Sequence, residues 1–315
     1  MTSLENSDGA IYDLIVLGAG PAGLTAAIYA GRAQLRTLVI EPKVAGGEIT
    51  LTDSLENYPG FPEGVGGFEF GMLLEQHAAR FGAEIVYADV NGVQAEGSVK
   101  EVSTASGVFR GRTLIIATGT VPRYLGVPGE ELLIGKGISF CATCDAPLFK
   151  NKKTAVIGGG DAAVEEALYL TRFAEEVHLI HRRNELRAAV YLQKRFFENQ
   201  KVKFVGETIV QEFRGDKKLE SILLQNVADK STSELSVDGA FLFVGRTPST
   251  GLIEGIEMDE GGFIKTSEDM ETSIPGVFAA GDVRRKLLRQ VVTAAADGAI
   301  AATMALKYLE LGETM

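Results

Sequence analysis

Apolar residues fall along this chain in short, mostly apolar runs, separated by glycine turns and by stretches with helical spacing. Ile11 to Leu17 is such a run, followed by a helix-like stretch, Leu24 to Ala33, and a second run, Leu35 to Ile40. The same succession returns later: Thr154 to Ile157, a helix-like Val164 to Phe173, then Val177 to Ile180. Runs without polar alternation predict strands buried on both faces, and their alternation with helices predicts an α/β fold with parallel sheets. Val99 to Arg110 reads as strand and turn, and Gly276 to Ala280 as a small-residue strand ahead of an alanine-rich helix, Thr293 to Leu306. The repeat in this pattern is the size of a domain.

Two further runs end in Gly/Pro turns. Leu114 to Ile116 passes into Ala117-Thr118-Gly119-Thr120 and Val121-Pro122-Arg123, and Gly239 to Val244 passes into Gly245-Arg246-Thr247-Pro248. They read as two crossovers between domains. The segment between them then forms one domain inserted into another. The expected division is 1–121 and 250–315 for the outer domain and 122–249 for the inserted one.

Each strand–helix unit opens on a glycine signature. Gly18-Ala19-Gly20-Pro21-Ala22-Gly23 follows the first strand, and Gly158-Gly159-Gly160-Asp161-Ala162-Ala163 the later one. In this context the glycines allow a tight turn, approach of backbone to a pyrophosphate, and close helix–strand packing. Two Rossmann-like dinucleotide sites are therefore expected. They differ at the end of the next strand. Glu41 closes the first unit, where an acid accepts hydrogen bonds from ribose hydroxyls. His181-Arg182-Arg183 closes the second, with Arg187 four positions on, and cations there suit a 2′-phosphate. The second site thus favours NADP over NAD.

The only two cysteines of the 315 residues, Cys141 and Cys144, lie in the inserted segment and are followed at once by Asp145. A CxxC pair beside an acid has the groups that thiol–disulfide exchange needs. A dithiol working with a nicotinamide needs a two-electron relay, which makes FAD the expected occupant of the first site. Net charge is −11, so a basic nucleic-acid footprint is missing. Met1 to Ala10 is polar and acidic and reads as a short frayed tail without signal-peptide character, and no apolar run reaches the length of a membrane span. A cytoplasmic location is expected, where a CxxC is catalytic or metal-binding more often than structural.

Together these stretches resemble the low-molecular-weight thioredoxin reductases over nearly the whole chain. The matching runs are GAGPAG, GGEITLTDSLENYPGFP from Gly46 to Pro62, ATGT, CATCD, GGGDAAVEEALYL, HRRNELRA and GDVRRKLLRQVVTAAADGAIAA, in the same order and spacing. The resemblance implies a homodimeric FAD and NADPH enzyme that reduces thioredoxin or a thioredoxin-like protein. It places Gly18, Gly20, Ala22, Gly23 and Glu41 on the FAD adenosine and pyrophosphate, and Asn57, Thr118, Asp282, Arg289, Gln290 and Val291 along the rest of FAD. It places Gly158, Gly160, Asp161, Ala162, Arg182, Arg183 and Arg187 on NADPH, with Arg246 a weaker candidate. Cys144 would face the flavin, Cys141 would exchange with thioredoxin, and Asp145 would be the acid–base. Glu48 stands at a flavin-side position where the family usually has Gln. Phe140, Ala146 and Arg285 replace a frequent Tyr, Gly and acid.

The resemblance also implies rotation of the inserted domain, with the two crossovers as hinges, so that nicotinamide and dithiol take turns at the flavin. A helix start after Cys144 is expected to lower that thiol's pKa. The rival readings are a same-fold flavoprotein reducing ferredoxin or a glutaredoxin-like carrier, a small-molecule dithiol oxidase, a peroxide-defence flavoprotein subunit, and a zinc-binding interaction module using the cysteines with His77, His178 or His181.

Overall fold

The computed structural model describes residues 11–52, 55 and 57–312. The tail Met1 to Ala10, and Asp53, Ser54 and Glu56 of the Gly46–Pro62 run, lie outside the described residues. The chain divides into two compact units, one from Met1–Val121 with Thr247–Met315 and one from Pro122–Arg246.

The first unit begins with β1 (Ile11–Leu17), α1 (Pro21–Arg32) and β2 (Thr37–Glu41), and continues through α2 (Gly67–Arg80), β3 (Glu84–Tyr87), β4 (Val90–Gln94), β5 (Lys100–Thr104) and β6 (Gly107–Ile116). Helix α1 starts earlier than the apolar spacing alone indicates, because Pro21 at its first position is already set to a helical φ. Chain then passes through β7 (Thr120–Pro122) to the second unit.

There, β8 (Ile138–Ser139) leads to a single turn, α3 (Ala142–Asp145), and on to β9 (Lys153–Ile157), α4 (Asp161–Leu170), β10 (Glu176–Ile180), α5 (Val190–Glu198) and β11 (Val202–Val205). Strands β12 (Thr208–Arg214), β13 (Ser221–Asn226) and β14 (Thr232–Ser236) form an antiparallel sheet. They precede β15 (Gly239–Leu242) and the return strand β16 (Arg246–Pro248), which pairs with β7. The first unit closes with β17 (Val277–Ala279) and the long helix α6 (Val291–Gly312).

The first unit's sheet has seven strands, in the order β3-β2-β1-β6-β5-β4, with β17 also on β6. Strand β6, paired with β1 on one edge, is long enough to serve two neighbours on the other. Its first half takes β5 antiparallel, and Leu114–Ile116 takes β17 in parallel. Successive residues of β1 enter different cores. Leu14 and Val16 pack with the alanines of α1 and α6, while Tyr12, Ile15 and Leu17 pack with Val102, Ile253, Ile264 and Val283. That is why the run is apolar at consecutive positions.

The second sheet, β11-β10-β9-β15-β8, repeats the arrangement. Val156 faces α4 and α5 through Val164, Leu170 and Phe196, and Ala155 and Ile157 face Phe213, Ile222 and Leu224 of the antiparallel sheet. Pairing β10 with β9 and β11 in parallel leaves the strand ends of β9 and β10 together at one edge.

The turn after β1 leaves no room for a side chain at Gly18. Gly18 has φ +102°, and a Cβ there would stand 2.5 Å from the carbonyl oxygen of Ala117. Gly18→Ala is expected to cost about 1–3 kcal/mol of stability from backbone strain. Urea unfolding of the variant checks this, with the midpoint moving to lower urea at unchanged slope.

Candidate functional site

The first glycine turn is packed below and open above. A Cβ on Gly23 would run into the carbonyl oxygen of Gly18, whereas one on Gly20 would meet nothing within 4 Å. Gly20 is the N-cap of α1, so the first amides of that helix, including those of Ala22 and Gly23, open onto this space without intrahelical acceptors. An anion fits there, and the helix dipole favours it. Glu41, at the end of β2, is buried, and its two carboxylate oxygens accept the N–H groups of Ala19 at 2.8 Å and Lys43 at 3.0 Å. The carboxylate is therefore fixed beside the turn. These residues fit the adenosine and pyrophosphate of FAD.

Other candidates of this unit come together from distant sequence. Asn57 donates to the side-chain oxygen of Gln290 at 3.0 Å. Thr118 donates to the Ser249 carbonyl at 2.7 Å, which joins the two arms of the outer unit. Asp282 lies in the short turn Gly281–Val283, and Val291 is the first residue of α6. The Arg289 guanidinium stands 4.2 Å from the Phe263 ring centre. Glu48 is exposed on a 3-10 turn, Gly47–Leu51.

The second glycine turn has the same form with a different charge. Gly158 follows β9, Gly160 caps α4, and a Cβ on Gly160 would also meet open space. Asp161 and Ala162, the first residues of α4, are exposed. The arginine loop after β10 is tied to this turn: the Arg187 amide donates to the Gly159 carbonyl at 2.7 Å, and the Ala189 amide to Asp161 Oδ1 at 2.7 Å. Arg182, Arg183 and Arg187 are exposed, and among the described residues none forms a salt bridge. Burial holds the His181 imidazole below its ordinary pKa, and Arg187, Arg182 and Arg183 push it the same way, so the ring is neutral at pH 7. Arg246 lies on the return strand β16, away in sequence from this loop.

Cys141 and Cys144 are joined as a disulfide. Cys141 is the N-cap of α3, with Thr143 Oγ1 3.4 Å from its sulfur. A 3-10 turn, Ala146–Phe149, does begin after Cys144, but the α-helical turn starts at Ala142. The helix start therefore falls at the first cysteine as well. Phe140 stacks edge-on against Tyr124 at 5.6 Å.

A model of the pyridine nucleotide-disulphide oxidoreductase family matches residues 12–298. The chain belongs to this family. It is similar along its length to thioredoxin reductases: that of Treponema pallidum (strain Nichols) is 46% identical over 95% of this chain and 97% of its own, and that of Listeria monocytogenes is 48% identical over 96% of each. The crystal structure of thioredoxin reductase from Streptococcus pyogenes superposes with a TM-score of 0.90 at 44% identity, covering 96% of this chain and 99% of that one.

Two residues of this oxidoreductase to which the sequence assigned no role hold its site in place. Ser139, at the end of β8, donates to Asp145 Oδ2 at 2.6 Å and accepts the Cys141 amide at 3.1 Å, which fixes the acid against the cysteine turn. Asp297, on α6, accepts the Gly281 amide at 3.0 Å, Lys286 at 2.6 Å and both its oxygens take Arg284 at 3.3 Å. Its carboxylate is nearly inaccessible, as are its two cations, with side-chain exposures of 9, 7 and 14%. This buried cluster fastens the loop that carries Asp282 to the helix that starts at Val291. Asp297→Ala leaves two buried cations without their anion and is expected to cost about 3–5 kcal/mol. Thermal unfolding checks this, and weaker retention of FAD on gel filtration should accompany it.

Proposed function

We propose that the protein is a thioredoxin-disulfide reductase, which passes electrons from NADPH through FAD and the Cys141–Cys144 pair to oxidised thioredoxin or a thioredoxin-like protein. The observation that carries this reading is a disulfide with an adjacent hydrogen-bonded acid, held in the same compact unit as a glycine turn tied to a loop that exposes three arginines. The thioredoxin reductases similar in sequence over almost all of the chain support it.

FAD, when bound, supplies the two-electron relay between a hydride donor and the disulfide. Gly18, Gly20, Ala22, Gly23 and Glu41 would hold its adenosine and pyrophosphate, and Asn57, Thr118, Asp282, Arg289, Gln290 and Val291 the remainder. On the second turn, Gly158, Gly160, Asp161 and Ala162 would seat the NADPH pyrophosphate, while Arg182, Arg183 and Arg187 bind the 2′-phosphate. When the disulfide opens, Asp145 protonates one of the two sulfur anions, and Ser139 keeps the carboxyl aimed at the turn. Cys141, left as thiolate at the start of α3, attacks the partner's disulfide. Cys144 then displaces it from the mixed disulfide, and the intramolecular bond re-forms. A homodimer in the cytoplasm is part of the same proposal.

Anaerobic titration with NADPH, and separately with NADH, tests the donor. Flavin absorbance should bleach with NADPH at far lower concentration, and equal bleaching by both would overturn the assignment of the arginines. Replacing Arg182, Arg183 and Arg187 with Ala is expected to raise KM for NADPH by about tenfold or more, the loss of one to two charge-assisted hydrogen bonds, while leaving that for NADH nearly unchanged. Cys144→Ser should bleach with NADPH but fail to reduce thioredoxin. Retained reduction of a carrier protein by that variant would favour a flavoprotein that bypasses the dithiol.

A further inference from the structure

An acid that the chemistry above does not use lies against the cysteine turn. Glu166 is on α4 among the positions that enter the core, Ala163, Ala167 and Leu170. Its carboxyl accepts a hydrogen bond from the backbone N–H of Thr143, the residue before Cys144. Its Oε2 atom is buried without a hydrogen-bond partner. Burial pushes the Glu166 pKa up to about 7; the Thr143 bond opposes this and the neighbouring Glu165 adds to it. On the cysteine turn the titratable groups are Cys141, Cys144 and Asp145, and Asp145 is bonded to Ser139. Among the described residues, Glu165 is the one charge that contributes to the position of this pKa, and α5, β9 and β10, packed on the same helix, add none.

We propose that Glu166 is a positioning residue of the cysteine turn, whose protonation is coupled to the oxidation state of the Cys141–Cys144 pair. The inference rests on reading that pair as redox-active. Reduction breaks the S–S bond, takes two electrons from the reductant (dithiothreitol in a redox titration) and produces two sulfur anions, one of which takes the proton of Asp145 and leaves that acid as a carboxylate. The remaining thiolate charge disfavours a carboxylate bonded to the adjoining residue, so Glu166 takes up one proton from water. A neutral carboxyl is a weaker acceptor than a carboxylate, so its hold on the Thr143 amide relaxes as the cysteines become nucleophilic.

The sign follows from linkage. The Glu166 pKa is higher in the reduced than in the oxidised enzyme, and between those two values the reduced form carries one extra proton. In that window, opening upward from about pH 7, each added pH unit disfavours reduction by up to a further factor of ten, about 30 mV for two electrons. Below both values and above both, Glu166 contributes no slope.

The test is a redox titration of the full-length enzyme in dithiothreitol buffers from pH 5.5 to 8.5, read by alkylation of the two thiols. The parent should show the extra slope. Glu166→Gln, which keeps an acceptor oxygen for Thr143 but cannot ionise, should lack it, and so should Glu166→Leu. Glu165→Gln, at an exposed position of the same helix, should retain it. In the reduced state Glu166→Leu should also alkylate faster at Cys141 than Glu166→Gln, because the turn has lost its acceptor. A Glu166→Gln profile superimposable on that of the parent overturns the proposal. A pair that never equilibrates with dithiothreitol overturns the redox reading itself, and this inference with it.

Discussion

The central parallel strands of both sheets are covered on both faces, and this constraint directs the ligand-facing polar groups to the strand ends. Beyond Asp13 at its outer end, β1, with Leu14 and Val16 in one core and Ile15 and Leu17 in the other, has no side on which to carry a charge. Ligand chemistry is left to the residues just past the carboxyl ends of the strands, where helix amides point outward. Glu41, Asp282, His181 and the three arginines all occupy such positions. The cysteine turn does too, following the short strand β8 at the edge of its sheet.

Given two turns of the same shape, charge at one position separates the uses proposed for them. In the first unit a buried carboxylate is held by two backbone amides and can receive hydroxyl hydrogens. In the second unit the corresponding loop offers a neutral imidazole and three guanidinium groups on the surface. Nothing in the backbone of the turns distinguishes a flavin dinucleotide from a nicotinamide one. The distinction lies wholly in what the next strand delivers.

The strands and helices were legible because their apolar runs reflect two-sided burial, and the glycine turns because steric limits at Gly18 and Gly23 leave little choice of residue. Boundaries shifted where local chemistry outweighed spacing. Helix α1 begins at Pro21, and α6 runs from Val291 to Gly312, past the expected Thr293 to Leu306 at both ends, with Leu309 buried in its added C-terminal turn. The roles of Ser139 and of Asp297, although the latter falls within a matching run, could not be read from sequence, since each acts on a backbone amide brought near by folding. Glu166 left a trace. It falls three positions after Ala163 and four before Leu170, on the stripe that enters the core, and an acid on such a stripe signals a carboxyl with a buried partner.

The exposure of Arg182, Arg183 and Arg187 has an evolutionary consequence. Surface side chains outside the core can be exchanged at little cost to stability, so under the role proposed for these arginines the preference for one nicotinamide donor over another is free to drift within this architecture. Glu41 has no such freedom, because its carboxylate also satisfies the amides that shape the first turn. A lineage can therefore change its source of electrons far more readily than it can change its flavin.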